Sequence, residues 1–200
     1  MRYVFSSVLF IFFSIPESNA DVPRESLKYK RELIRQSRII WGLDAPIPLF
    51  ASQIHQESTW NHLAKSKYAK GLTQFTDSTA EWMIEIFPEL KRANVYNPNW
   101  SIRAMLLYDS WLDERIKSID DCNQWAMILS SYNGGLTWLK RDKELTETRG
   151  SNPNIWWNNV EKYSNRADWA IKENRNYSKK IIFKHQIIYA DWGESFICKN

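Results

Sequence analysis

Apolar residues recur along the chain at helical spacing. After a Pro23 start, Leu27 to Trp41 gathers Leu33, Ile34, Ile40 and Trp41 on one side. Pro46 and Pro48 interrupt, and Leu49 to Glu57 reads as a short buried helix. Asp77 to Phe87 sets Ala80, Met83, Ile84 and Phe87 at i, i+3, i+4 and i+7, and must stop before Pro88. Asn97-Pro98 pairs an N-cap with a proline at the first helical position. The helix it opens is expected to reach about Ile116, with Ile102, Met105, Leu106, Leu112 and Ile116 inward. Asp121 is expected to cap the next helix, which runs through Trp125, Ile128 and Leu129 to a stop at Asn133-Gly134-Gly135. Leu136 to about Glu147 reads as helix, and Thr148 to Asn159, with Gly150 and Pro153, as a loop or short helix. Ala167 to about Trp192 reads as one long final helix, or two. Strand alternation is nearly absent, and there is no internal repeat or separating linker. The pattern predicts an all-α fold with a single helical domain over residues 48–192, a helical extension over 21–47 and a tail over 193–200.

Residues 1–20 break this picture. Arg2 is followed by an apolar run from Tyr3 to Ile15, a break at Pro16, and small residues at Ser18 and Ala20. That is the form of a secretory signal cut after Ala20, and the run is short for a membrane span. An exported chain, in the periplasm or at the cell wall, makes a disulfide between Cys122 and Cys198 the expected state of its two cysteines. Composition adds less. Hydrophobic residues at 44% and charged residues at 25% are those of a globular protein, excluding collagen, coiled coil and low-complexity disorder. A net charge of +4 suits a polyanionic partner without choosing one, and no Lys/Arg block reads as a nucleic-acid tail. Trp, at 11 residues, is far above its usual share, which suits a large core or a groove for flat apolar faces.

Most catalytic constellations are missing. The sequence holds no HExxH, no CxxC and no glycine-rich phosphate loop. His55-x-Glu57 matches half of a zinc-deaminase signature whose Pro-Cys-x-x-Cys partner is absent, so His55, His62 and His185 read as helix-surface or groove residues. What remains is Gln56-Glu57-Ser58-Thr59-Trp60-Asn61. A carboxyl ending an apolar helix, beside Trp60, is placed to be desolvated; desolvation raises its pKa toward that of a general acid at neutral pH. Three further segments accompany it in order: a polar loop from Ser66 to Gly71-Leu72-Thr73-Gln74-Phe75, then Ser131-Tyr132-Asn133-Gly134-Gly135, then Glu173-Asn174-Arg175-Asn176-Tyr177.

In this order the four segments resemble the catalytic domain of soluble lytic transglycosylases, the goose-lysozyme-like SLT group of glycoside hydrolase family 23. The resemblance covers roughly Leu49 to Tyr189. It implies a lysozyme-like helical domain with a glycan-binding cleft. Glu57 then matches the single catalytic acid/base. Ser66 and Gln74 match groove residues near the reaction centre. Tyr132 and Asn133 match a pair whose Tyr hydroxyl lies close to the catalytic carboxyl. Glu173 matches a groove acid that holds the sugar's N-acetyl side, and Tyr177 the Tyr after it. The chain departs from the pattern at Thr73, Ser131 and Asn174, where Met, Ala and Thr are usual, and at His62, where Pro is usual. The loop from Ser66 to Gly71 is one residue short, and Leu136 to Asn165 is longer than the common core. These departures bear on the cleft's shape and not on Glu57.

The resemblance implies an exported enzyme that cleaves the MurNAc–GlcNAc bond of peptidoglycan and leaves 1,6-anhydroMurNAc ends, without metal or cofactor. Its expected partner is the peptidoglycan glycan strand, not nucleic acid. It would act as a monomer, alone or with envelope-spanning or phage machinery. Two alternatives stay open. One is a hydrolytic lysozyme on the same fold, with Glu173 or Asp77 positioning water. The other is a non-catalytic wall-binding component of a secretion, conjugation or virion apparatus.

Overall fold

The structure is a computed structural model that describes residues 21–198; the expected signal segment, residues 1–20, lies outside them. Eight α-helices form the described body: α1 (Arg24–Leu27), α2 (Lys30–Trp41), α3 (Ile47–Ser58), α4 (Asp77–Ile86), α5 (Pro98–Asp113), α6 (Asp121–Gly134), α7 (Leu136–Thr148) and α8 (Asp168–Lys180). No strand is present among the described residues, only the isolated bridges Lys65–Lys70 and Lys70–Phe75 in the loop after α3. The all-α expectation holds.

Helix α3 is the axis of the molecule. Every residue from Ile47 to Ile54 is buried, so its first two turns are enclosed on all sides, as in a central helix. It starts earlier than the periodicity suggested, because Pro48 falls in its first turn, where no N–H is needed. Helix α2 packs on it and on α5, and α6 packs on α5, α7 and α8. Leu33 of α2 and Ala45 join the same core. The expected Leu27–Trp41 helix is split at Lys28-Tyr29, where the Tyr29 ring turns to stack on Trp60 at 6.2 Å and 7°.

Asn97 caps α5 as expected, its Oδ1 accepting from the N–H groups of Asn99 and Trp100 at 2.9 and 3.2 Å. The cap of α6 is Asp120, not Asp121: Asp120 Oδ1 accepts from Asn123 N–H at 2.8 Å, and Asp121 lies in the first turn. The final run is a single continuous path whose winding changes. After α8 it widens through a π-turn at Ile181–His185 and tightens to 3₁₀ at Gln186–Trp192, which lies along α3.

The expected disulfide is present. Cys122 at the start of α6 is bonded to Cys198, with Cα atoms 5.1 Å apart and a sequence separation of 76. Helix α8 is held from its other side by an ion cluster. Asp142 of α7 accepts from Arg166 at 2.6 Å and from Arg175 at 2.9 Å, with all three side chains buried. Arg175 also donates to the backbone carbonyls of Glu161, Val160 and Tyr163, and its guanidinium lies 4.8 Å from the buried Trp156 ring. The long segment from Leu136 to Asn165 thus forms a bracket for α8.

Candidate active site

A cleft of about 830 Å³ opens between the end of α3, the loop over residues 66–76, the end of α6 and one face of α8. Glu57, Ser66, Gln74, Tyr132, Asn133, Glu173 and Tyr177 all line it. Residues spread over more than a hundred positions of sequence therefore meet in one place.

Glu57 sits in the last turn of α3. The chain leaves that helix through two consecutive left-handed residues, Thr59 at φ 50° and Trp60 at φ 67°. Such conformations cost roughly 1–3 kcal/mol in non-glycine residues and persist only where the surroundings enforce them. Here Ser58 Oγ donates to the Leu72 carbonyl at 2.7 Å, and Trp60 Nε1 donates to Tyr189 Oη at 2.6 Å. Trp60 is fully buried among Tyr29, Tyr189 and Trp192 and is not a cleft residue. It anchors the turn that ends α3.

The Glu57 carboxyl is half-buried, with one side open to the cleft. Burial pushes its pKa up to about 8, and the charge of Glu173 adds to the rise. Tyr177 acts against both, donating its hydroxyl to Glu57 Oε1 at 2.5 Å. Burial, with the nearby Glu57 charge, also drives the Tyr177 hydroxyl well above the usual tyrosine range, so it remains a donor. The hydroxyl bonded to the carboxyl is thus that of Tyr177. The Tyr132 hydroxyl donates instead to the Thr73 carbonyl at 2.8 Å.

The loop over residues 66–76 is built from its own polar groups. Ser66 Oγ accepts from the N–H groups of Tyr68 and Ala69 and donates to the Ala69 carbonyl, so that hydroxyl serves the loop first. Gln74, at φ 50°, donates Nε2 to the carbonyls of Gly71 and Ala64, which leaves Oε1 for a ligand. Gly71 has φ 79°, and a Cβ there would meet the Val95 carbonyl oxygen at 1.7 Å, so no side chain fits. Asp77, one of two carboxyls weighed for positioning water, is bonded to Lys70 at 2.7 Å and does not line the cleft.

At the far wall, Asn174 explains a departure from the family pattern. Its Nδ2 donates to the Ser130 carbonyl and to Asn133 Oδ1, while its Oδ1 accepts from Ser130 Oγ and Arg175. The buried amide joins α8 to the end of α6 and orients Asn133, whose own Nδ2 is left for the cleft. Trp169, Glu173 and Tyr177 follow at four-residue spacing on α8 and share its cleft face. Trp169 is 72% exposed. Trp138 stands opposite in the lining, with the guanidiniums of Arg141 and Arg166 at 5.0 and 5.6 Å from its ring. Sequence reasoning missed Trp169, Trp138, Tyr68 and Tyr108. For Trp169 the signal was available: it lies one helical turn before Glu173. The three histidines lie elsewhere. His55 and His185 stack at 4.5 Å between α3 and the final run, and His62 meets the Tyr29 hydroxyl.

A helical body divided by an open cleft, with a desolvated carboxyl on the floor and aromatic rings at the rim, is a lysozyme-like architecture. The transglycosylase SLT domain family matches residues 43–155, and the chain belongs to that family. It is similar to the membrane-bound lytic murein transglycosylase F of Alteromonas mediterranea, 33% identical over 111 residues, covering 54% of this chain and 22% of that protein. The protein of the same name from Haemophilus influenzae strain PittEE is 32% identical over 110 residues, covering 54% of this chain and 21% of that one. That of Vibrio vulnificus strain YJ016 is 28% identical over 160 residues, covering 74% and 29%. The chain therefore spans less than a third of the length of these curated relatives. No helix among the described residues is long and apolar enough to cross a membrane.

Proposed function

We propose that this chain is a peptidoglycan lytic transglycosylase, exported to the periplasm or cell wall, with Glu57 as its one acid/base. The observation that carries the reading is the Glu57 carboxyl at the cleft floor, raised to about 8 and bonded by Tyr177. A carboxyl of that pKa is protonated at neutral pH and still close enough to it to work in both directions.

In the first step Glu57 donates its proton to the glycosidic oxygen between MurNAc and GlcNAc. That C–O bond breaks, and the MurNAc C1 gains oxocarbenium character, assisted by the sugar's own acetamido oxygen. The new Glu57 carboxylate is stabilised by the Tyr177 hydroxyl. In the second step it takes the proton from the MurNAc C6 hydroxyl as that oxygen bonds to C1. The product is 1,6-anhydroMurNAc and no water is consumed. The C6 hydroxyl is tethered to its own electrophile, an advantage free water lacks. Gln74 Oε1, Asn133 and Glu173 are placed to hold polar groups of the sugar, and Trp169, Trp138 and Tyr68 to cover its apolar faces. Ser66 contributes through the shape of its loop.

Hydrolysis is a second reading, favoured by Glu173 as another carboxyl in the same cleft. Digestion of purified peptidoglycan in ¹⁸O-water separates the two. Transglycosylation leaves the new ends unlabelled and lighter by one water; labelled reducing ends as the main product would establish hydrolysis. Glu57→Gln should clear wall suspensions ~10²–10⁴-fold more slowly with its fold intact, the usual worth of general acid–base help. A variant that retained a tenth or more of the wild-type rate would remove Glu57 from the reaction. A wild-type protein that binds peptidoglycan without cutting it would leave the wall-binding reading.

A further inference from the structure

Behind the floor of the cleft lies a second carboxyl that the reaction above does not use. Asp109 of α5 and Gln53 of α3 are both fully buried. Gln53 Nε2 donates to Asp109 Oδ1 at 3.3 Å. Their other two oxygens, Gln53 Oε1 and Asp109 Oδ2, are buried without any partner. As an anion, Asp109 would leave two acceptors and a charge unsatisfied in the interior, a costly arrangement. One proton removes all three faults, because a carboxylic O–H on Oδ2 is the donor that the Gln53 carbonyl lacks. We propose that Asp109 is a neutral carboxylic acid, joined to Gln53 as an acid–amide pair, and that this pair positions Glu57 from behind.

The surroundings favour the proton. The groups whose charge bears on Asp109 are Glu57 of α3, Asp113 of α5 and the hydroxyls of Tyr108, Tyr132 and Tyr177, all of them acids or neutral donors. No cation compensates it among the described residues. On α2, Arg35 is taken by Glu32, and on α5 itself Arg103 reaches Gln36 and Glu89 while Arg115 reaches Glu114. His55 of α3 is directed to Tyr189. Burial, with Glu57 and Asp113 adding, holds the Asp109 pKa well above the usual carboxylate range.

The positioning role follows from register and rests on Glu57 being the acid/base. Gln53 precedes Glu57 by four residues, one turn back on the same helix. Asp109 follows Tyr108, whose ring lines the cleft and packs on Tyr132 at 5.4 Å. The pair therefore ties the last turns of α3 to α5 beneath the cleft floor. While neutral, it adds no second anion behind a carboxyl that must give up and recover a proton. When Glu57 is ionised, its charge makes Asp109 hold its proton more firmly.

Carboxyl-carbon NMR titration of the wild type, Asp109→Asn and Asp109→Leu is the test, with wall clearing measured on the same proteins. Asn keeps the shape and supplies an N–H to Gln53 Oε1; Leu supplies nothing. Asp109 should resonate as a protonated acid at neutral pH. The Glu57 titration should be kept in Asp109→Asn and should fall in Asp109→Leu, by about one unit toward the ordinary range, as slack admits water. Wall clearing should lose ~10-fold in kcat with KM kept in Asp109→Leu, and recover in Asp109→Asn. An ionised Asp109 at pH 7, or an unmoved Glu57 titration in a folded Asp109→Leu, would overturn the proposal. A wild type that cuts no peptidoglycan would bring down the proposed function, while the two NMR readings would still decide the acid–amide pair.

Discussion

Tyr177→Phe isolates the one hydrogen bond that opposes the high pKa of Glu57. The change deletes a hydroxyl from a buried ring and leaves the packing. Tyr177 donates to Glu57 Oε1 at 2.5 Å and so favours the carboxylate. A hydrogen bond to a charged group is worth ~1.5–3 kcal/mol, and the protonated acid keeps part of it by donating back, so the lower end applies. At ~1.4 kcal/mol per pKa unit, the variant's Glu57 should rise by about one unit, from about 8 toward about 9. The sign is fixed by the role. In the proposed reaction the free enzyme must carry the proton, so kcat/KM falls as pH rises through the Glu57 pKa, and a raised pKa moves that fall to higher pH. Between pH 7 and pH 9 the wild type should drop to about one-tenth and the variant only to about one-half. At pH 7 the variant should be ~10-fold slower in kcat, because the carboxylate formed at bond cleavage has lost its donor. Initial rates of wall-suspension clearing across buffers of constant ionic strength give both numbers. An alkaline limb that stays in place, or moves to lower pH, would mean that Tyr177 does not donate to the titrating carboxyl.

Three other outcomes follow from features outside the chemistry. Reduction should lower the melting temperature, since a 76-residue loop stabilises by about 4 kcal/mol in the chain-entropy model; a Cys122→Ser, Cys198→Ser double variant should melt at that lower temperature with or without reductant. Gly71→Ala should displace the loop over residues 66–76, because its Cβ cannot clear the Val95 carbonyl, and lose wall-clearing activity with a melting temperature lower by several degrees; a wild-type-like Ala variant would contradict the geometry. Asp142→Ala should cost ~3–5 kcal/mol in denaturant unfolding, since it strands two buried guanidiniums, and a loss under 1 kcal/mol would show that water already reaches them.

Much of the fold was legible because helices declare themselves locally. The 3.6-residue period, the Asn97-Pro98 start and the stop before Pro88 all lie within one window of sequence. The errors fall where local signals compete. Asp120 and Asp121 are equally good caps by composition, and only the backbone turn before α6 selects the first. Tyr29 breaks a continuous apolar period because its ring is drawn to Trp60, a tertiary contact. The candidate catalytic and glycan-binding residues came from motif order, and the cleft brings all seven together. What motif order could not convey is the division of labour between two tyrosines. Which hydroxyl reaches Glu57 depends on how α8 lies against α3, and that is set by Asn174 and the Asp142 cluster, whose members are far apart in sequence. The Asp109–Gln53 pair was equally hidden, since a single Asp on an amphipathic helix looks like a solvated residue until both neighbours are in place.

The bracket that Leu136 to Asn165 forms around α8 has a consequence for how this site can be cut out and moved. The family match ends at residue 155, yet Trp169, Glu173 and Tyr177 all lie beyond it. A fragment trimmed to the matched stretch would keep Glu57 and discard one wall of its cleft, together with the phenol that steadies its charge. Adding α8 alone would not repair it, because the helix takes its seat from Asp142, from the carbonyls of residues 160–163 and from the π-turn that follows. The portable unit is therefore longer than the motif set: a graft or chimera that is to keep the cleft must begin before α3 and carry the chain through the Cys198 closure.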